Sequence, residues 1–582
     1  MTSFSVGRND FIADGEPIQV LSGALHYFRI HPDQWADRIR KARELGLNMI
    51  ETYIPWNAHS PTRDEFLTEG MLDLGGFLDE IAAQGMYAFV RPGPYICAEW
   101  SGGGLPVWLF GSGAAVRRNE PTYMAAVDDY YAAIAEIVVP RQVDRGGPVA
   151  LVQVENEYGA YGDDKDYLRE LVRLLRGHGI TTPLTTVDQP EPQMLEAGSL
   201  PQLLRTGSFG SGATARLATL RQYQPIGPLM CSEFWNGWFD SWGRHHHTTG
   251  AERSARELDA LLAAGASVNL YMLCGGTNFG FTNGANHKGN YVPIATSYDY
   301  DAPLDEAGRP TRKYWAFRDV LAQYVDLPAV ERTPNVPAPS FSVPLRRQLP
   351  LWDTLEVSSV PTSHDHLPTM DELALTQAFV VYRPEQPLGP GVLEFGEVRD
   401  RAQVFVDRSP VSTLSRDHNE RRTWVPGGRL EVLVEEMGRV NYGPRIGEPK
   451  GLIGPALLDG KLVEDWEVLP LEFDLPAITR RLAEADPVEG TTVAGPSFLY
   501  GVFGTTDAEA DHFLDTSDWG KGVAWVNGFN LGRFWSRGPQ STLYVPAPVL
   551  RESGNELVVL VLDAGGTQAR FVEDLVLGPT EE

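Results

Sequence analysis

The stretch PVALVQVENEY (148–158) decides how this chain folds. Val149 to Val152 form an apolar run without alternation, the pattern of a strand covered on both faces in a parallel sheet flanked by helices. At its C-terminal end the run gives way to Glu155, Asn156 and Glu157. The same unit recurs on either side. Upstream lie IQVLSG (18–23), NMIETYIPW (48–56) and YAFVRPGPY (87–95); downstream lie PLTTVD (183–188), LLRTGSF (203–209), PLMCSEFW (228–235) and SVNLYML (267–273). Between them, apolar residues at helical spacing mark amphipathic helices. Trp35, Ile39, Ala42 and Leu45 precede Gly46; Leu74, Phe77, Leu78 and Ile81 precede Gly85; Val127, Tyr131, Ile134 and Val138 mark a longer helix, and Leu258–Leu262 another. Eight β/α units in roughly 300 residues predict a (β/α)8 TIM barrel, which we assign to residues 1–330. A doubly wound sheet would place GxGxxG after the first strand, and none is there.

Past Asp326 the texture changes. VERTPNVPAPSFSVP (330–344) is proline-rich and reads as a linker, part of a segment 331–369 that also offers a strand, within 345–365, to the last domain. Period-two alternation then dominates in VLEFGEVRDRAQVFVD (392–407), RLEVLVEE (429–436) and VAWVNGFNLGRFW (523–535), where Asn527-Gly528 is a hairpin signal. Two β-sandwich, jelly-roll-like domains are expected, over 370–475 and 476–582.

With 49 basic against 77 acidic residues the formal charge is −28, a surface that repels nucleic acid and anionic membranes. A neutral sugar meets no such penalty. Cys97, Cys231 and Cys274 are too few and too scattered for a disulfide framework, and they read as small packing groups. The first twenty residues lack a basic patch followed by an apolar core, so a cytoplasmic location is expected. His245-His246-His247 cannot all face one ion and read as a solvated loop; no metal or cofactor is expected. The oligomeric state is left open, a homo-oligomer included.

Active sites of TIM barrels lie at the C-terminal ends of the strands, where two places stand out. On the fourth strand, period two puts Glu155 and Glu157 on one face and Asn156 on the other. On the seventh, Glu233 sits among Trp235 and Trp238. Strands four and seven oppose one another across the barrel, so two carboxylates can flank a bond held between them. A pair with different surroundings divides into an acid and a nucleophile, the arrangement of retaining glycosidases.

GGPVALVQVENEY (146–158) resembles the active-site signature of glycoside hydrolase family 35, the β-galactosidase family. The resemblance continues through PGPYICAEWSGGGLP (92–106), SEFWNGWFDSWG (232–243), NLYMLCGGTNFGFTNGAN (269–286) and TSYDYDAPLDEAG (296–308). In the β region it takes in EEMGRVNYG (435–443), WGKGVAWVNGFNLGRFW (519–535) and GPQSTLYVPAP (538–548). It implies Glu157 as acid/base, Glu233 as nucleophile and Asn156 at the sugar 2-hydroxyl. Tyr53, the backbone of Ile96 and Ala98, Glu99 and Tyr271 would hold the other galactose hydroxyls. Tyr300 is the first choice as partner of the nucleophile and Tyr298 the second. It further implies a galactose-binding-like last domain and a retaining exo-β-galactosidase acting on oligosaccharides. A β-1,3 preference is expected separately, and because the motif residues all lie before 301, the β domains are expected to wall the pocket rather than carry chemistry. Alternatives are an exo-β-glucosaminidase on the same scaffold, a metal-dependent barrel hydrolase, and a non-catalytic carbohydrate-binding protein, which the presence of both glutamates disfavours.

Overall fold

The structure, a computed structural model, describes residues 3–582. Eight parallel strands close into a barrel: β1 (Leu21–Leu25), β2 (Met49–Tyr53), β3 (Tyr87–Arg91), β4 (Val149–Gln153), β5 (Leu184–Asp188), β6 (Leu204–Ser208), β7 (Met230–Trp235) and β8 (Ser267–Cys274). They pair in sequence order, and β8 returns to β1. Helices at Trp35–Leu45, Leu74–Ala83, Pro121–Val138, Lys165–Gly177, Pro192–Ala197, Ala213–Tyr223, Ala251–Ala263 and Arg312–Leu321 follow the eight strands in turn. Their starts are set by side chains that take up free amides: Asp73, Glu120, Asp164 and Thr311 each accept from the first turn. Gly46, at φ 106°, ends the first helix.

The first strand departs from its expected limits. Ile18 belongs instead to a small antiparallel sheet, Phe4–Val6, Phe11–Ala13 and Glu16–Ile18. Its Phe4 and Phe11 cluster with Met49, Phe89, Leu151 and Met230, residues at or near the starts of barrel strands, and so close the barrel floor.

Beyond the barrel, strands at Phe341–Pro344 and Arg347–Pro350 pair with Gln568–Val572 and Ser497–Phe503. The end of the proline-rich stretch is thus strand rather than linker, and the last β unit is built from two separate parts of the chain. The other β unit centres on a six-stranded sheet ordered Thr362–His364, Trp466–Pro470, Phe379–Pro384, Leu430–Glu435, Arg401–Val406 and Ser409–Ser415. Alternate residues of its strands enter different cores. Val380 and Tyr382 face the unit's own interior, while Phe379 and Val381 join Phe498, Trp525 and Val558 of the last unit. Asn527 and Gly528, both at positive φ, make the expected two-residue hairpin turn.

The β units grip the barrel rim. Arg533 donates to Asn283 Oδ1 (2.6 Å) and, with Lys521, to Glu435 Oε1 (3.1 and 2.8 Å). Val440 and Tyr442 pair with Ala285 and Asn286, which carries EEMGRVNYG to the mouth of the barrel.

Candidate active site

Strand β4 ends at Gln153, earlier than its sequence suggests, and Glu155 and Glu157 both take left-handed backbone (φ 60° and 44°). This breaks the alternation that would have put the two glutamates on one face. Glu155 turns away and is locked by Arg117, Nε to Oε1 at 2.8 Å and Nη2 to Oε2 at 2.7 Å, with the Tyr167 hydroxyl at 3.1 Å. Asn156 and Glu157 line the pocket instead. Across from them, β7 carries an irregularity between Cys231 and Phe234 that turns Glu233 into the same pocket. Bulges beside active sites commonly re-aim a side chain in this way.

The two pocket glutamates have contrasting neighbours. Glu233 Oε1 accepts from Arg91 Nη2 at 2.5 Å and from the Tyr53 hydroxyl at 2.8 Å, and Oε2 from Trp235 Nε1 at 3.2 Å. Among the described residues Glu157 has no cation in hydrogen-bond contact; the Ser208 hydroxyl donates to its Oε1 at 2.8 Å. Burial, and then the nearby charge of Glu233, push the Glu157 carboxyl up to about 7. Arg91 also donates to Asn156 Oδ1 at 2.7 Å, where Gln153 Nε2 approaches at 3.3 Å. With its oxygen taken, Asn156 has its amide N–H groups left to offer to a bound hydroxyl.

The far wall is a chain of phenols and a second buried carboxyl. Tyr298 donates to Glu99 Oε2 (2.5 Å) and lies 3.2 Å from the Tyr271 hydroxyl. Burial raises the Glu99 carboxyl to about 7. Cys97, Ala98 and Glu99 are three consecutive left-handed residues (φ 56°, 51° and 48°), held because Arg29 ties the Ala98 carbonyl at 2.6 Å. Trp235, Trp238, Phe239 and Tyr442 complete the mouth, Tyr442 coming from the first β unit.

Family models match three segments: glycosyl hydrolases family 35 over residues 10–324, the beta-galactosidase first all-beta domain over 368–472, and the beta-galactosidase galactose-binding domain over 496–555. The chain belongs to glycosyl hydrolase family 35. A beta-galactosidase of Xanthomonas manihotis is 41% identical over 562 residues, covering 93% of this chain and 91% of that one. Those of Mus musculus and Homo sapiens are each 39% identical, covering 96% and 97% of this chain and 91% and 87% of theirs.

In this family 35 chain most of the sequence-derived positions converge. Tyr53, Ala98, Glu99, Asn156, Glu157, Glu233, Tyr271 and Tyr300 share one pocket. Ile96 does not line it: the residue is fully buried and its N–H donates to Gly103 within the loop. Tyr300 lines the pocket, but among the described residues Tyr53, Arg91 and Trp235 are what bind Glu233. Tyr300 packs against Tyr271 instead, and Tyr298 is committed to Glu99. Arg91, Lys288, Gln189 and Tyr442 were not singled out in the sequence. Arg91 left a signal, a lone cation ending an apolar strand. The histidine run is not the solvated loop expected. His246–His247 pair with Thr580–Glu581, and His246 Nδ1 lies 2.7 Å from Asp240. Among the described residues, no group of three or more His, Cys, Asp or Glu is placed to hold a metal ion. All three cysteines are buried and free.

Proposed function

We propose that this family 35 hydrolase is a retaining exo-β-galactosidase, with Glu233 as nucleophile and Glu157 as acid/base. The observation that carries the reading is the contrast between the two carboxylates. Arg91 places a positive charge against Glu233, which suits an anion that attacks carbon. Glu157, buried and raised to about 7, keeps its proton near neutrality and can deliver it to the departing glycosidic oxygen. Glu233 then bonds to the anomeric carbon as the aglycone leaves. In the second half, Glu157 takes a proton from water, whose oxygen displaces Glu233. Asn156, Tyr271, Glu99 and the Ala98 backbone are the groups proposed to hold the galactosyl ring. The small pocket, backed by Tyr298 and Glu99, suits one terminal sugar.

Release of p-nitrophenol from the β-galactoside but not from the β-glucosaminide tests the sugar. A β-1,3 preference predicts the highest kcat/KM on the 1,3 isomer in a panel of galactosyl disaccharides. The roles are tested with a dinitrophenyl galactoside, whose leaving group needs no proton. General acid catalysis is worth ~10²–10⁴-fold and is dispensable there. Glu157→Ala should still form the glycosyl-enzyme, and azide should release β-galactosyl azide. Glu233→Ala should give only the α azide. Reversed anomers by proton NMR would exchange the two roles.

A further inference from the structure

The pocket does not end at its aromatic mouth. Trp238, Phe239, Asn286 and Lys288 line both the catalytic pocket and a second hollow of ≈ 430 Å³ beside it. Arg244, Asn290 and Val292 line both that hollow and a chamber of ≈ 950 Å³ beyond. The three form one trough. It runs from the carboxylate pair, between the barrel loops at 235–247 and 286–293, to the junction of all three structural units. The chamber's size matches that of a site for a ligand larger than one sugar.

Its charge is opposite to that of the whole chain. Five arginines and three carboxylates line the chamber, while the chain carries −28. Two of those carboxylates are already paired, Asp417 with Arg537 and Glu397 with Arg445. The exposed guanidinium groups of Arg244 and Arg421 have no hydrogen-bond or ion-pair partner among the described residues. Arg416, nine-tenths buried and 4.2 Å over the Tyr291 ring, is by contrast held by Asp400 (2.9 Å) and Glu448 (2.6 Å), with only a buried Nη2 left without a hydrogen-bond partner. A buried nitrogen of His287, Nδ1, is likewise unpartnered in the chamber wall. Nearer the catalytic pocket, Lys288 rests 4.8 Å from the Tyr442 ring centroid, and among the described residues its ammonium faces no carboxylate within ion-pair distance. The free guanidinium groups of Arg244 and Arg421 and the Lys288 ammonium, in an acidic protein, are what a bound anion would satisfy.

We propose that the aglycone of the natural substrate is an oligosaccharide that follows this trough and carries an anionic group, a carboxylate or sulfate ester, into the chamber at the three-unit junction. A guanidinium group can donate paired N–H bonds to two oxygens of either anion, the planar carboxylate or the tetrahedral sulfate ester. The inference rests on the galactosidase reading, since it places the leaving group. It assigns the trough to substrate selection: acidic galactose-capped chains are drawn in, and Lys288 marks the way.

The test uses three oligosaccharides with the same galactose-capped backbone, differing only in the reducing-end sugar: neutral, uronic acid or sulfated. kcat/KM is measured at low and high salt on the wild type and on Arg244→Gln/Arg421→Gln, with p-nitrophenyl β-galactoside as reference. We expect the wild type to favour one or both acidic forms by roughly threefold to tenfold at low salt, the range for two solvent-exposed charge pairs. The advantage should shrink at high salt and vanish in the double variant, with the aryl galactoside unchanged. Preference for one acidic form alone identifies the anion. Equal rates on all three, or a preference that survives both substitutions, overturns the proposal. If the aryl galactoside is not cleaved, the galactosidase reading fails instead. Calorimetric binding of the uronate oligosaccharide, weakened in the double variant, then still reports on the chamber.

Discussion

Glu51, Glu157 and Glu233 are one residue type in one barrel, and their neighbours alone separate them. Arg91 is the divider. It touches Glu233 at 2.5 Å and Asn156 at 2.7 Å, reaches Glu51 at 3.5 Å, and lies over the Tyr53 ring at 4.1 Å. Glu51, fully buried and, among the described residues, with only that long contact to a cation, is pushed up to about 7. Arg91→Gln should therefore act on the nucleophile before it acts on the fold. Removing the cation strips the nucleophile of its counter-charge, and kcat/KM on the aryl galactoside should fall on the order of 10²–10³-fold, as when one preorganised electrostatic contact is removed from an active site. The rate of glycosyl-enzyme formation, measured beside the melting temperature, checks it. A fall in rate matched by loss of the folded state would show that Arg91 only packs.

Individual elements reveal how far a sequence can be read. All eight barrel strands were legible in outline, because strands buried on both faces are short and largely apolar, as in Val149–Gln153, even where Glu51, Thr185 or Asn269 interrupts the run. Where a strand ends was less legible. Side-chain direction there depends on backbone dihedrals that residue types do not dictate: Glu155 looked like the partner of Glu157, but two left-handed residues sent it to Arg117. Tyr300 was misplaced as partner of the nucleophile for the same reason, since it sits at φ 64° in a loop whose course is set by close backbone contacts. One such contact is at Gly275, directly after β8, where a Cβ would lie 1.6 Å from the Tyr298 carbonyl oxygen. Gly275→Ala must displace the loop that holds Tyr298 against Glu99. We expect kcat/KM to fall at least about tenfold, with a loss of stability of ~1–3 kcal/mol. Gly177→Ala, at the end of a barrel helix with nothing within 4 Å, is the control and should leave both unchanged or improve stability slightly. Equal behaviour of the two variants would mean the loop after β8 gives way freely.

For the whole molecule, the distribution of charge matters more than its sum. Most of the acidic excess lies where water solvates it, but several carboxyls are sealed inside the barrel end. Burial raises Glu51, Glu99, Glu157 and Asp299 to about 7 and Glu306 to about 8. Glu306 lies outside the catalytic pocket, taking hydrogen bonds from Thr277 (2.5 Å) and Ser297 (2.7 Å). A raised folded-state value has a definite consequence for stability. Below the ordinary value of 4.5 the folded and unfolded chains both hold the Glu306 proton. Above it only the folded chain does, so stability is lost steadily until the pH passes about 8. Surface carboxylates are already ionised across that window, and their mutual repulsion stays nearly constant there. Thermal melting should therefore drop by roughly 5 °C between about pH 5.5 and 8.5, since several kcal/mol are spread over a large cooperative unit. Glu306→Gln keeps an acceptor for one hydroxyl, offers an amide N–H to the oxygen of the other and cannot ionise, so its melting curve should fall less steeply over the same range. A wild-type curve that is flat, or a variant curve just as steep, would mean that the Glu306 carboxyl ionises in the folded protein at its ordinary value.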